Sequence, residues 1–204
     1  MKQLMIIGAS GHGKVVADIA EKMGYDQIGF LDDNPEVISC GGYPVVGKTN
    51  EFSGFGGEFV VAIGNAAVRA RIQKTLEAAG KQLATLIHPG AVVGKGVKIG
   101  RGTVVMAGAV INPDAHIGNG CIVNTCASVD HDCRMEDYVH LSVGAHMAGG
   151  CRVGEGTFIA SGATVINNIH ISNDVVIGAG AVVIRDVEEP GTYVGCPARK
   201  LVGK

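Results

Sequence analysis

A six-residue period runs without interruption through the second half of the chain. Every sixth residue in this stretch is aliphatic, and the seventeen positions are Ile87, Val93, Ile99, Val105, Ile111, Ile117, Val123, Val129, Met135, Leu141, Met147, Val153, Ile159, Val165, Ile171, Ile177 and Val183. Such self-similarity marks a repeat architecture, because each short unit buries its apolar residues only by stacking on its neighbours. The period therefore predicts a repeat domain over residues 87–204, with hexads at 87–188 followed by a C-terminal tail.

The glycines follow the same period. Gly makes up 32 of the 204 residues, about twice the usual ~7% share. Counted from Ile87, the fourth position of the hexad is Gly, Asn or Asp in fifteen of seventeen repeats, the exceptions being Cys126 and Tyr138. These residue types tolerate a positive φ, and the fifth position is small or β-branched. Short strands joined by such turns predict a parallel β-helix in which three hexads form one coil and three parallel sheets surround an aliphatic core.

The first 86 residues predict a second, smaller domain. An apolar strand at 4–7 leads into a glycine turn and a helix over 15–23, and further strands at 28–31 and 59–63 precede a helix over 66–79. This order is typical of a truncated, Rossmann-like βαβαβ unit, whose first helix can bind a diphosphate at its N-terminus. The glycine spacing differs from the dinucleotide fingerprint, so a plain strand-to-helix turn stays an alternative.

Composition excludes several classes of protein. The net charge of −2, with 18% charged residues, argues against a nucleic-acid or anionic-membrane partner, and no apolar stretch reaches the ~18 residues of a membrane span. Six cysteines occur without a Cys-x-x-Cys pair, which indicates neither a zinc site nor a disulfide scaffold. A cytoplasmic protein is therefore predicted.

Five motifs occur in order along the chain. They are Gly-Ala-Ser-Gly-His-Gly at 8–13, Leu-Asp-Asp at 31–33, Ala-Ile-Gly-Asn at 62–65, His131-Asp132, and Gly-Cys-Pro-Ala-Arg-Lys at 195–200. Together with the hexads they resemble the PglD/NeuD-type sugar acetyltransferases. The resemblance implies a left-handed β-helix, acetyl-CoA as the co-substrate, and a homotrimer whose active sites lie between subunits.

The resemblance also implies roles for individual residues. His131 matches the general base and Asp132 its acidic neighbour, His140 matches the histidine that contacts the thioester oxygen, and Gly149, Ser161 and Pro197 match positions that bind acetyl-CoA. The residues that match the UDP-sugar site are Ser10, Gly11, His12, Asp32, Asp33 and Gly64. A neutral imidazole suits proton abstraction near pH 7. Asp132 also occupies the positive-φ position of its hexad, so a turn role and a catalytic role both stay open.

The predicted function is acetyl-CoA-dependent N-acetylation of a UDP-linked amino sugar, such as a UDP-4-amino-4,6-dideoxy sugar, in glycan biosynthesis. One alternative is O-acetylation of sialic acid or another sugar, and another is a non-catalytic scaffold that binds a nucleotide sugar. No metal is predicted, because His140 and His146 fall on different sheets and no third histidine has matching spacing. The sequence leaves open the sugar, the carbon that is acetylated and the pathway served.

Overall fold

The computed structural model describes residues 1–201. The chain divides into two compact units, Met1–Pro89 and a second that begins at Gly90. The boundary predicted after residue 86 lies slightly earlier in the chain.

The first unit is a six-stranded sheet with two α-helices. Its elements are β1 (Gln3–Ile7), α1 (Gly11–Lys22), β2 (Gln27–Leu31), β3 (Ser39–Cys40), β4 (Tyr43–Gly47), a 3₁₀-helix (Thr49–Gly54), β5 (Glu58–Val61), α2 (Ala66–Ala78), β6 (Gln82–Leu83) and β7 (Leu86–Ile87). The strand order of the sheet is β3-β4-β2-β1-β5-β6. Every pairing is parallel except that of β3 with β4.

The three buried strands of this unit were predicted, whereas β3, β4 and β6 were not. Two of these three strands have only two residues, and β4 contains a proline and alternates between half-buried and exposed residues. Such segments carry little hydrophobic periodicity. Helix α1 begins at Gly11, earlier than its apolar spacing indicates. A Cβ on Gly13 would collide with the carbonyl oxygen of Gly8, so this glycine lets the first turn of the helix pack against the end of β1.

The second unit is a parallel β-helix of short strands. Its strands are β8 (Val92–Val93), β9 (Lys98–Ile99), β10 (Val104–Val105), β11 (Val110–Ile111), β12 (His116–Ile117), β13 (Ile122–Val123), β14 (Ser128–Val129), β15 (Arg134–Met135), β16 (His140–Leu141), β17 (His146–Met147), β18 (Arg152–Val153), β19 (Phe158–Ile159), β20 (Thr164–Val165), β21 (His170–Ile171), β22 (Val175–Ile177), β23 (Val182–Val183), β24 (Gly191–Val194) and β25 (Arg199–Lys200).

These strands form three sheets. Sheet 1 contains β10, β13, β16, β19, β22, β24 and β25; sheet 2 contains β8, β11, β14, β17, β20 and β23; sheet 3 contains β9, β12, β15, β18 and β21. Ile122 pairs with His140, and His140 with Phe158, so successive coils are offset by 18 residues as predicted. Strand β25 departs from the coil and pairs antiparallel with β24.

The hexad pattern predicts the core and the corners of this unit. From Val105 to Val183, the first residue of every hexad is at most 4% exposed. Fifteen of the seventeen fourth-position residues have a positive φ, and the two that do not are Gly90 and Asp186. Cys126 (φ 56°) and Tyr138 (φ 60°) adopt this conformation without being Gly, Asn or Asp, which shows that the period of the coil overrides the local preference of the residue.

Within residues 1–201, no helix combines the length and the apolar character that a membrane crossing requires.

Candidate active site

His131 lies at the corner of the β-helix between sheets 2 and 3, just after β14. Its side chain is 62% exposed, and its Nδ1 lies 2.8 Å from Oδ2 of Asp132. An ionised carboxylate can only accept, so Nδ1 of the neutral imidazole carries the proton and Nε2 keeps its lone pair. Asp132 has a φ of 60° and therefore serves the turn as well as the imidazole.

The two carboxylates beside His131 raise its pKa. The hydrogen bond with Asp132 is the largest cause, and the negative charge of Asp130 is the next. Asp130 was not among the predicted site residues. It accepts a hydrogen bond from the backbone N–H of His131 at 2.8 Å, and only the sequence Asp-His-Asp could have pointed to it.

Gly149 lies directly over the imidazole, one coil further along. A Cβ at this position would come within 2.5 Å of His131 Nε2 and within 2.6 Å of its Cε1. Gly149 is buried and is not among the positive-φ glycines. The ring therefore occupies the space that a side chain at position 149 would need, and this contact explains the glycine without reference to acetyl-CoA.

His140 projects outward from sheet 1. Its Nε2 lies 3.2 Å from Nδ2 of Asn124, while Oδ1 of Asn124 accepts the backbone N–H of Thr125 at 2.8 Å. Because the backbone N–H of Thr125 can only donate, Oδ1 of Asn124 faces Thr125 and Nδ2 faces His140. Nδ2 then donates to Nε2 of the neutral imidazole, whose proton is on Nδ1. Phe158 packs beside the imidazole with ring centroids 5.0 Å apart.

His131 and His140 lie on opposite sides of the coil. The chain runs from sheet 1 at Ile122–Val123 through sheets 2 and 3 and returns to sheet 1 at His140–Leu141. The corner at 130–133 is therefore opposite sheet 1. Because Leu141 points into the core and neighbouring strand residues alternate in direction, His140 faces away from that corner. The structure does not bring the two predicted histidines together within one protomer.

The remaining positions predicted to bind acetyl-CoA lie elsewhere on the second unit. Ser161 is exposed at the corner between sheets 1 and 2, with its Oγ 3.1 Å from Oγ of Ser142. Pro197 is exposed in the turn that joins β24 to β25 and follows a cis peptide bond. Neither residue shares a corner with His131.

The six residues predicted to bind the sugar nucleotide lie in the loops after β1, β2 and β5 and in the first turn of α1. These three strands are neighbours in one parallel sheet, so their carboxyl ends meet at one edge. Oδ2 of Asp32 accepts the backbone N–H of Ala9 at 2.6 Å, and Oδ1 of Asp33 accepts that of Thr49 at 2.9 Å. Ser10, Gly11 and Gly64 are exposed at the same edge, so the structure brings these residues together around the N-terminus of α1.

A fully buried arginine supports this edge and was not predicted. Nη1 of Arg69, on α2, donates to the carbonyl oxygens of Ile63 and Gly64 at 2.8 and 2.9 Å. Burial, together with the charge of Arg69, lowers the pKa of His12 to about 4. His12 is therefore neutral at physiological pH. An arginine in an amphipathic helix is ordinarily a surface residue, so the burial of Arg69 could not be predicted from the sequence.

A cavity of about 440 Å³ lies in the first unit beside Asp33. Lys48 and Arg71 supply positive charge to its wall, and Phe52 and Ile72 supply apolar surface. The residues that the structure describes contain no cluster of three or more His, Cys, Asp or Glu side chains that could hold a metal ion.

Comparison with known proteins gives concordant results for both units. Residues 3–76 match the PglD N-terminal domain family. The UDP-N-acetylbacillosamine N-acetyltransferase of Bacillus subtilis (strain 168) is 38% identical over 112 residues, an alignment that covers 52% of this chain and about half (52%) of that relative.

Several solved acetyltransferase structures match almost the entire chain. The acetyltransferase domain of PglB from Neisseria gonorrhoeae FA1090, in complex with acetyl coenzyme A, is 42% identical with a TM-score of 0.95, and the match covers 98% of this chain and 99% of that one. A histidine-to-asparagine variant of perosamine N-acetyltransferase from Caulobacter crescentus, in complex with CoA and GDP-perosamine, is 36% identical with a TM-score of 0.94, covering 100% and 98% of the two chains.

Proposed function

Because the chain belongs to the PglD-type family of sugar acetyltransferases, which combine a small α/β unit with a left-handed β-helix, we propose that it transfers the acetyl group of acetyl-CoA to the amino group of a nucleotide-linked amino sugar. The observation that carries the proposal is the His131–Asp132 pair, in which Nδ1 donates to the carboxylate and Nε2 is left to accept a proton. That arrangement is what a general base requires.

His131 takes the proton of the attacking amine at Nε2. The amine nitrogen forms a bond to the thioester carbonyl carbon, the negative charge moves to the carbonyl oxygen, and the C–S bond then breaks. The imidazolium, stabilised by Asp132, returns the proton to the departing thiolate of CoA. His140 matches the family histidine that contacts the carbonyl oxygen, and in its neutral form the Nδ1–H would be the donor to that oxygen, where such a contact is worth ~10²–10³ in kcat.

The separation of His131 and His140 within one protomer supports a homotrimer. Both can serve one reaction only if His131 comes from one subunit and His140 from the next. Side-by-side association of β-helices would bring the corner at 130–133 of one subunit next to sheet 1 of its neighbour, and a closed ring of three repeats this contact at every interface. Gly149, which lies against the His131 ring, would then face the acetyl end of the co-substrate, with Ser161 and Pro197 further along it.

The edge around α1 is the proposed site for the nucleotide of the acceptor. The N-terminus of a 12-residue helix favours a diphosphate, while His12, neutral at physiological pH, contributes no charge to that binding. The cavity beside Asp33 has apolar and cationic walls and a volume in the range of small-molecule sites, which supports placing the nucleobase there.

Release of CoA thiol from acetyl-CoA tests this function. The acceptor panel contains a UDP-4-amino-4,6-dideoxy sugar, GDP-perosamine and free sialic acid. We expect release with the UDP-linked amino sugar and none with sialic acid. Preference for GDP-perosamine would correct the nucleotide, release with sialic acid alone would replace N-acetylation with O-acetylation, and no release with any acceptor would leave a binding scaffold.

The pH dependence of kcat/KM tests the role of Asp132. Because only the neutral imidazole accepts a proton, and the neighbouring carboxylates raise its pKa, kcat/KM should rise with pH through a value above the ordinary ~6.5 of histidine. Asp132→Asn keeps a residue that tolerates positive φ but removes the charge, so the rising limb should move to lower pH.

Asp114→Asn is the matched control for this variant, since Asp114 occupies the same hexad position one coil earlier and also has a φ of 60°. It should leave the profile unchanged. If Asp132→Asn behaves like Asp114→Asn, Asp132 serves the turn alone.

The compartment is proposed on a separate observation. All six cysteines are free thiols, which suits the reducing conditions of the cytoplasm.

A further inference from the structure

Asn112 and Asp130 form a second hydrogen-bonded pair at the corner that carries His131. Oδ1 of Asp130 accepts from Nδ2 of Asn112 at 2.7 Å and from the backbone N–H of His131 at 2.8 Å. The two residues are 18 positions apart and both are half-buried, so they occupy the same place in successive coils. One carboxylate oxygen thus joins the coil below to the backbone of the candidate base.

The charges around the imidazole come mainly from carboxylates. Asp130 and Asp132 lie on its own corner, and Gly149 and Gly150 above contribute no charge. Asp114, at the same corner one coil below, directs its Oδ1 toward Gly96, a further coil away from the imidazole. Arg134 is the nearest cation along the chain, on sheet 3. The hydrogen bond from Asn112, followed by that from His131 N–H, lowers the pKa of Asp130, so Asp130 stays ionised across the pH range in which a histidine titrates.

We propose that Asn112 and Asp130 are positioning residues for His131: Asn112 fixes the Asp130 carboxylate, and that carboxylate fixes the His131 backbone and stabilises the imidazolium that forms during the reaction. The inference rests on the proposed function for its catalytic consequence only. Neither residue needs to touch a substrate, because Asp130 acts through the backbone N–H and through its charge.

A second Asn–Asp pair, one position later in its hexad and at another corner, provides a comparison for this role. Asp137 accepts from the backbone N–H of Asn119 at 2.7 Å and from its Nδ2 at 3.2 Å, again between residues 18 apart. Within the part of the chain that the structure describes, no histidine is hydrogen-bonded to Asn119 or Asp137. If the Asn112–Asp130 pair only held successive coils together, Asp130→Asn and Asp137→Asn should have the same effects on the pKa of His131 and on stability.

The test is a titration of the His131 ring protons by NMR in the full-length protein, without substrate. Asp130→Asn keeps the size of the side chain and its acceptor oxygen while removing the charge, so the pKa of His131 should fall. Asn112→Ala should also lower the pKa of His131, and Asp137→Asn should leave that pKa unchanged. Thermal unfolding of each variant shows whether the fold is retained.

Kinetics supply the second measurement. With acetyl-CoA and the amino-sugar acceptor, Asp130→Asn should lower kcat about tenfold, at the low end of the effect of removing an outer partner of a functional histidine, and move the acid limb of kcat/KM to lower pH. A His131 pKa that is the same in Asp130→Asn, Asp137→Asn and the unaltered chain would overturn the proposal. Because the titration requires no turnover, it tests the effect of Asn112 and Asp130 on His131 even if the proposed function is wrong.

Discussion

Replacement of His131 with alanine is expected to lower kcat for acetyl transfer by ~10²–10⁴-fold, the usual contribution of a positioned general base. The variant removes the imidazole whose Nε2 takes the amine proton. It leaves the N-terminus of α1 and the cavity of the first unit unchanged. KM for the nucleotide sugar should therefore change little. Steady-state rates of CoA thiol release measure both constants.

Two further variants separate loss of the base from loss of structure. His170→Ala removes another exposed histidine of the β-helix, on β21, and should retain full activity. Gly149→Ala keeps His131 but places a Cβ within 2.5 Å of its Nε2, and a displacement of about 1 Å can cost ~10²-fold. A His131→Ala enzyme with more than a tenth of the original kcat would mean that another group accepts the proton.

The β-helix could be predicted from the sequence because its period is enforced at every coil. Each hexad position has one environment, so the residue types at that position report it repeatedly: aliphatic in the core, small at the corner, and Gly, Asn or Asp where φ is positive. Even Cys126 and Tyr138, which break the residue pattern, keep the backbone conformation. A pattern that is kept through seventeen repeats therefore specifies the β-helix and no other common fold.

The first unit was predicted less completely because its remaining strands depend on tertiary contacts. Strand β4 pairs in parallel with β2, and nothing in the local pattern of Tyr43–Gly47 specifies that neighbour. The buried position of Arg69 likewise follows from the carbonyl groups that it bonds, which only the folded loop presents to it.

For the candidate site, the resemblance predicted His131, Asp132 and Gly149 as site residues but not the hydrogen bonds of Asn112 and Asp130 beside them. Asn112 and Asp130 are close only because the coil returns after 18 residues, and each alone resembles an ordinary polar corner residue. The resemblance also grouped His131 with His140 without showing that the two face opposite directions. That separation follows from the order of the sheets around the coil.

The second large effect is expected from mixing two inactive proteins. His131→Ala and His140→Ala subunits each lack one partner of the proposed composite site, so each homotrimer should be strongly impaired. Where a His140→Ala subunit presents its intact His131 to the intact His140 of a His131→Ala neighbour, a complete site forms. Random assembly at equal amounts gives this arrangement at about one interface in four over all closed rings of three, and at about one in three in the rings that contain both variants.

Co-expression of the two variants with different affinity tags, followed by sequential purification, yields the mixed assemblies. A mixture of His131→Ala with His131→Ala/His140→Ala subunits is the control, because no interface in it holds both histidines.

The rate of CoA release by the co-assembled His131→Ala and His140→Ala subunits is the most direct measure of a site shared between protomers. Recovery of about a third of the unmodified rate is the predicted result, because each closed ring of three that contains both variants holds one complete site out of three. Co-assembled protein no more active than the two separate variants would contradict it and would place catalysis within a single subunit.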